Sequence, residues 1–126
     1  MIEHLSMGVP DLTRSGGFYD AILAPLGYIR LFTNQRSIGY ASPGAIDESF
    51  ALLAAVERAH PPGEGWHIAF KAPTHAAVDA FHASALQQGA TDEGAPGLRP
   101  QYGPSYYAAF VRDPDGVRLE AVCIQR

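Results

Sequence analysis

Two histidines and one glutamate stand where a metal centre could be built. His4 and His67 recur at an offset of 63 residues, and Pro10, Phe18 and Leu23 recur with them as Pro73, Phe81 and Leu86, while Leu5 is answered by Ile68. An internal repeat of this kind sets the two imidazoles at equivalent positions of two similar halves. If a pseudo-twofold axis relates those halves, equivalent positions face one another, and two imidazoles meeting on such an axis are natural metal ligands. Glu120, within Val117-Arg118-Leu119-Glu120-Ala121-Val122-Cys123-Ile124, is the third candidate. A carboxylate inside an apolar strand is costly to bury unless it is paired or bound to a cation. Two His and one carboxylate, with coordination positions left open, suit non-haem iron and related divalent metals, which polarise a substrate oxygen or carry water or O2. The plainer account is structural: each strand histidine is solvated or hydrogen-bonded, and Glu120 is salt-bridged to Arg118 or Arg112 on an exposed face.

The elements that must position these residues also repeat. Each half opens with a short strand, Ile2–Gly8 and Trp66–Ala72, followed by a proline and a polar N-cap candidate, Asp11 or Thr74. The first helix carries Leu12, Phe18, Tyr19, Ile22 and Leu23 on one stripe and stops at Pro25. The second carries Ala77, Val78, Phe81, Ala85 and Leu86, with Gly89 beyond its end. Three strand-like segments follow each helix: Tyr28–Thr33, Ser37–Ala41 and Phe50–Val56, then about Ala90–Glu93, Ser105–Arg112 and Val117–Ile124. Asp113-Pro114-Asp115-Gly116 reads as a hairpin turn, with Pro at i+1 and Gly at i+3. Ala59–Gly65 reads as the linker between halves, and Gly94–Pro104 as a long Gly/Pro loop of the functional kind. The expected fold is α+β: one domain over residues 1–126, built of a βαβββ module at 1–60 and another at 66–126, with helices outside.

Composition narrows the classes of function. Among 126 residues, 47% are hydrophobic and 17% charged, as in a globular chain. Thirteen acids against nine bases give a net charge of −4, and the bases are scattered, which argues against a nucleic-acid partner. The longest apolar run, Phe50–Val56, is seven residues, where a membrane span needs roughly 20. The opening MIEHLSMGVPDL has no basic start, so no signal peptide is expected and the simplest location is the cytoplasm. The single cysteine, Cys123, excludes an internal disulfide and reads as a buried structural thiol. No glycine-rich phosphate loop appears, which argues against a nucleotide cofactor.

Three stretches make the sequence recognisable: HLSMGVPDLTRSGGFYDAILAPLGY at the start, GWHIAFKAP at the midpoint, and YYAAFVRDPDGVRLEAV at the close. Together they span nearly the whole chain, and the most specific feature is the DPDG turn with Glu120 four residues past Gly116. The sequence resembles the vicinal oxygen chelate superfamily, which includes glyoxalase I, fosfomycin-resistance and bleomycin-resistance proteins and extradiol dioxygenases. The resemblance implies two βαβββ modules forming a cupped mixed sheet, with one divalent metal ion inside the cup. Its ligands come from the first strand of each module and from the last strand, which here are His4, His67 and Glu120. Glyoxalase I-like members add a carboxylate or amide on the last strand of the first module. Here that strand offers Ala51 or Leu52, so a glutathione-dependent glyoxalase I is not expected. A three-ligand centre better matches the dioxygenase and fosfomycin branches, although the potassium-binding loop of the latter is not evident.

Around such a centre, the Gly94–Pro104 loop offers Arg99 for an anionic group and Tyr102 for orienting an oxygen. Tyr106 and Tyr107 point to opposite faces of their strand, so one of them, here Tyr106, can line the cup. His60, His75 and His82 read as surface or packing residues. The resulting expectation is a metal-dependent enzyme acting on a small oxygen-chelating substrate, as a lyase, isomerase or ring-opening dioxygenase. Fe, Mn, Ni and Zn all suit two His and one Glu. The rival expectation is a metal-free protein of the bleomycin-resistance type that sequesters a small molecule. A homodimer is expected in either case, because an open cupped sheet exposes edges and apolar rims.

Overall fold

The computed structural model describes residues 1–125, the side chain of Val56 excepted. The chain divides into two compact units, Met1–His60 and one beginning at Pro61. In the first, β1 (Leu5–Val9) leads into α1 (Leu12–Leu23), then β2 (Ile29–Thr33), β3 (Ser37–Ala41) and β4 (Phe50–Ala54). In the second, β5 (Ile68–Lys71) leads into α2 (His75–Gln87), then β6 (Thr91–Leu98), β7 (Tyr106–Arg112) and β8 (Arg118–Ile124). Each unit holds one four-stranded mixed sheet, ordered β1-β4-β3-β2 or β5-β8-β7-β6, whose first and last strands in sequence run side by side in parallel at β1–β4 and β5–β8. The architecture is α+β with a repeated βαβββ order. Arg126, the last residue of the predicted second module, lies outside the described residues.

Local chemistry explains why both helices begin where they do. The Asp11 carboxylate accepts from the Arg14 N–H, and the Thr74 hydroxyl accepts from the Ala77 N–H, each at 3.0 Å. Each cap satisfies a backbone donor that the first helical turn leaves without a partner. In the first unit, Phe18, Tyr19, Ile22 and Leu23 of α1 are buried, as are Ile38, Tyr40, Phe50 and Leu52 of the sheet. The Tyr19 and Phe50 rings sit 5.3 Å apart, which identifies the helix-facing side of β4. Gly16 lets α1 approach closely: a Cβ there would lie 2.6 Å from Ile38 Cδ1. In the second unit, Val78, Phe81 and Ala85 of α2 are buried with Val111, Leu119, Ala121 and Cys123. Tyr107 reaches α2 through a 2.7 Å hydrogen bond to Asp79, and its ring stacks on His75.

Two expectations need correction. The opening strands start at Leu5 and Ile68, so His4 and His67 each sit one residue before a strand and not within it, because the parallel ladders begin at Leu5↔Phe50 and Ile68↔Leu119. The segment read as a loop from Gly94 is strand as far as Leu98. Its pairing with β7 skips residues between Asp92 and Gly94 and again between Gly94 and Gly97. Such bulges break the alternation that marks a strand, and an edge strand tolerates Pro96, whose missing N–H the ladder does not need. The irregular segment is therefore confined to residues 99–105.

Candidate functional site

The turn Asp113–Gly116 sets the register of β7 against β8. Gly116 N–H donates to the Asp113 carbonyl at 2.9 Å, and the Asp113 carboxylate accepts from the N–H groups of Asp115 and Val117. With that turn closed, Phe110 lies opposite Glu120 and Tyr106 opposite Ile124. Strand alternation then sorts the side chains. Leu119, Ala121, Cys123 and Tyr107 face α2, while Arg118, Glu120, Tyr106 and Phe110 face the other way.

Glu120 lies at the centre of that second face and is 2% exposed. Its Oε2 lies 2.9 Å from His67 Nε2, and its Oε1 accepts a hydrogen bond from the Tyr106 hydroxyl at 2.5 Å. Both carboxylate oxygens thus have partners, which is what burial of a charged group demands. Burial, with the Glu120 carboxylate beside it, pushes the Tyr106 phenol up to about 12. Tyr106 therefore remains a hydrogen-bond donor throughout the neutral range and is not a proton acceptor there. The structural account in which Glu120 pairs with Arg112 or Arg118 on an exposed face does not hold, since Glu120 is buried and Arg112 is bound to Glu93.

The other predicted residues fall as follows. Tyr102 lies against Tyr106, ring centres 5.3 Å apart. Arg99, just past the end of β6, turns back on that strand, donating to the carbonyls of Gly97 at 2.9 Å and Ala95 at 2.7 Å, with its guanidinium 5.5 Å from the Phe110 ring centre. His4 belongs to the first unit, where its Nδ1 is 3.0 Å from a Glu3 carboxylate oxygen. Among the described residues, no group of three or more His, Cys, Asp or Glu side chains is gathered to hold a metal ion. Of the three histidines read as surface or packing residues, His82 is buried against Asp92 at 3.0 Å and His75 stacks on Tyr107.

A pocket of about 320 Å³ opens beside the His67–Glu120 pair, lined by Trp66, His67, Glu93, Tyr102, Phe110 and Arg118. Its volume is at the small end of the range for small-molecule sites. Trp66, Phe110 and Arg118 are not among the residues that sequence reasoning placed at the site. A signal for two of them existed, because counting by twos from Glu120 reaches Arg118 and counting by twos from Tyr106 reaches Phe110.

The Glyoxalase/Bleomycin resistance protein/Dioxygenase superfamily model matches residues 1–121. A glyoxalase/bleomycin resistance protein from Albidiferax ferrireducens is 34% identical, with a TM-score of 0.82 and 96% of each chain covered. A glyoxalase/bleomycin resistance protein/dioxygenase family enzyme from Burkholderia phytofirmans is 17% identical, with a TM-score of 0.73 and 98% of each chain covered. A genomically encoded fosfomycin resistance protein from Listeria monocytogenes is 15% identical at a TM-score of 0.69, covering 98% of this chain and 92% of its own. At such identities the last two likenesses speak to fold alone. No match is found among curated proteins.

Proposed function

Because the chain belongs to the glyoxalase/bleomycin resistance/dioxygenase superfamily, we propose that it is a metal-dependent enzyme acting on a small substrate that chelates through adjacent oxygens. His4, His67 and Glu120 are the ligands of one divalent ion in this reading. The observation that carries it is the 2.9 Å approach of His67 Nε2 to Glu120 Oε2, with Glu120 buried in mid-strand. An imidazole nitrogen and a carboxylate oxygen this close would both be within reach of a single divalent ion and would hold it together. One imidazole nitrogen and one carboxylate oxygen also match the donor types that Fe, Mn, Ni and Zn accept.

A bound divalent ion supplies Lewis-acid polarisation of a substrate oxygen, the chemistry shared by lyase, isomerase and ring-opening dioxygenase steps. The chain's own residues prepare the place. Tyr106 holds Glu120 Oε1, which aims Oε2 at His67 and fixes the carboxylate plane. Trp66, Phe110 and Tyr102 present apolar surface to a ligand in the adjoining pocket and displace water from it. One observation favours the rival reading, a metal-free protein that sequesters a small molecule: Ala51 stands where a further metal ligand could have been supplied.

Elemental analysis of protein purified without chelator, beside His4→Ala and His67→Ala, tests the proposal. One divalent ion per chain in the parent, lost in both variants, is the expected result. Metal content unchanged in His67→Ala would show the assignment to be wrong, and a metal-free parent after reconstitution would leave the sequestering reading. We also expect a homodimer, and light scattering that returns a monomer at tens of micromolar would refute it.

A further inference from the structure

Arg112 and Arg118 lie directly opposite each other on β7 and β8. Like charges so placed repel unless each is neutralised. Arg112 is neutralised: its Nε and Nη2 hold Glu93 Oε1 at 2.8 and 2.7 Å. Arg118 is not. Its side chain is exposed and makes no hydrogen bond or ion pair among the described residues.

The position of that free guanidinium matters. Arg118 precedes Glu120 by two residues and so shares its face. The β5–β8 ladder begins at Ile68↔Leu119, and its extension by one residue sets His67 beside Arg118. Arg118 lines the 320 Å³ pocket with His67 and Phe110, and also a neighbouring pocket of about 280 Å³ with Arg112 and Glu64; the two pockets share Trp66 and Arg118. Arg99, by contrast, is held by the carbonyls of Ala95 and Gly97, which each take one N–H of its guanidinium.

We infer that Arg118 is the anchor for an anionic group of the ligand, and that the ligand is a small carboxylate with a flat apolar body. A free guanidinium beside a pocket wall offers the paired donors that a carboxylate accepts. Trp66 and Phe110 offer rings against which a flat body stacks. Glu64, which lines the neighbouring pocket, repels a doubly charged phosphate more strongly than a singly charged carboxylate. This inference rests on the reading of the pocket as the substrate site, and adds to it the class of substrate.

Trp66 is the only tryptophan in the chain, so its fluorescence reports on this pocket. The full-length protein is titrated with benzoate, with benzamide as a neutral probe of the same shape, and with inorganic phosphate. Benzoate is expected to change the fluorescence saturably and to bind more tightly than benzamide. Arg118→Gln should weaken benzoate by about tenfold or more and leave benzamide unchanged. Arg118→Lys should fall between, since a point charge replaces a two-pronged donor. Both substitutions are at an exposed position and should leave the melting temperature near that of the parent. Equal binding of benzoate and benzamide, benzoate affinity unchanged in Arg118→Gln, or binding of phosphate alone would each overturn the inference. Metal content measured on the same samples separates the two ideas. Metal retained with no Arg118 dependence sinks this inference only, whereas Arg118-dependent benzoate binding to a protein that takes up no metal sinks only the metal proposal.

Discussion

Ala51 occupies in the first unit the place that Glu120 occupies in the second. Ala51 pairs with Ser6 across the parallel β1–β4 ladder, and Glu120 pairs with Ala69 across β5–β8, with Ser6 and Ala69 separated by the repeat offset. On their antiparallel sides they meet Gly39 and Phe110. Both are 2% exposed. The two halves therefore share a backbone register here and differ in chemistry at this buried position: Glu120 has an imidazole and a phenol on its oxygens, and Ala51 has no polar side chain.

Placing the carboxylate in the other half should be harmful. In Ala51→Glu the new group meets Gly39, with the Phe32 ring lying over it, in place of the partners Glu120 enjoys. A buried carboxylate without such partners is expected to take up a proton, and even the neutral group should cost about 1–3 kcal/mol. Thermal melts at neutral pH check this, and an unchanged midpoint would contradict it.

Tyr106→Phe keeps the ring against Tyr102 and removes only the donor to Glu120 Oε1. The orphaned carboxylate oxygen should lower stability by about 1–3 kcal/mol, read by urea denaturation. If Glu120 is a metal ligand, the same variant should lose about 10–100-fold in metal affinity, because a ligand-orienting hydrogen bond is gone.

The pair of His82 and Asp92 ties α2 to β6 and predicts a loss of stability in acid. Asp92 sits below its ordinary value of 3.8, first because His82 hydrogen-bonds its carboxylate and then because the Gly94 N–H does. A lowered carboxylate contributes stability that is complete above that ordinary value and disappears as pH falls through the folded-state value beneath it. Asp92→Asn should therefore flatten the dependence of melting temperature on pH below about 4. An identical acid slope in the variant would show that the pair is not responsible.

Gly39 has no room for a side chain. A Cβ there would lie 2.2 Å from the Phe32 ring, so Gly39→Ala must displace that ring from the sheet. The expected cost is about 1–3 kcal/mol. Adding Phe32→Ala should make the second substitution cheaper than it is alone, which a double-mutant cycle measures.

Much of the frame was legible before any coordinates. The repeat from His4 to His67 carried the order of elements, and Asp11 and Thr74 marked both helix starts. The apolar stripes named the part of the core that the helices supply, Phe18, Tyr19, Ile22 and Leu23 of α1 and Ala77, Val78, Phe81 and Ala85 of α2, although Leu86 is exposed, and Asp113–Gly116 named the hairpin. The caps, stripes and turn are local signals, written in neighbouring residues. β6 was obscured because its glycines and Pro96 serve bulges on an edge, and that composition reads as loop.

Side-chain partnership was less legible. The sequence alone determined that Glu120 lies on a strand among apolar residues and that Tyr106 and Tyr107 point opposite ways, since both follow from a period of two. Only the tertiary structure decided that Tyr106 meets Glu120 while Tyr107 meets Asp79, and that Arg112 takes Glu93 while Arg118 has no polar partner among the described residues. The reason is register. Which residues lie opposite across β6, β7 and β8 depends on where one turn closes and where the bulges fall, and the resulting contacts join positions far apart in the chain.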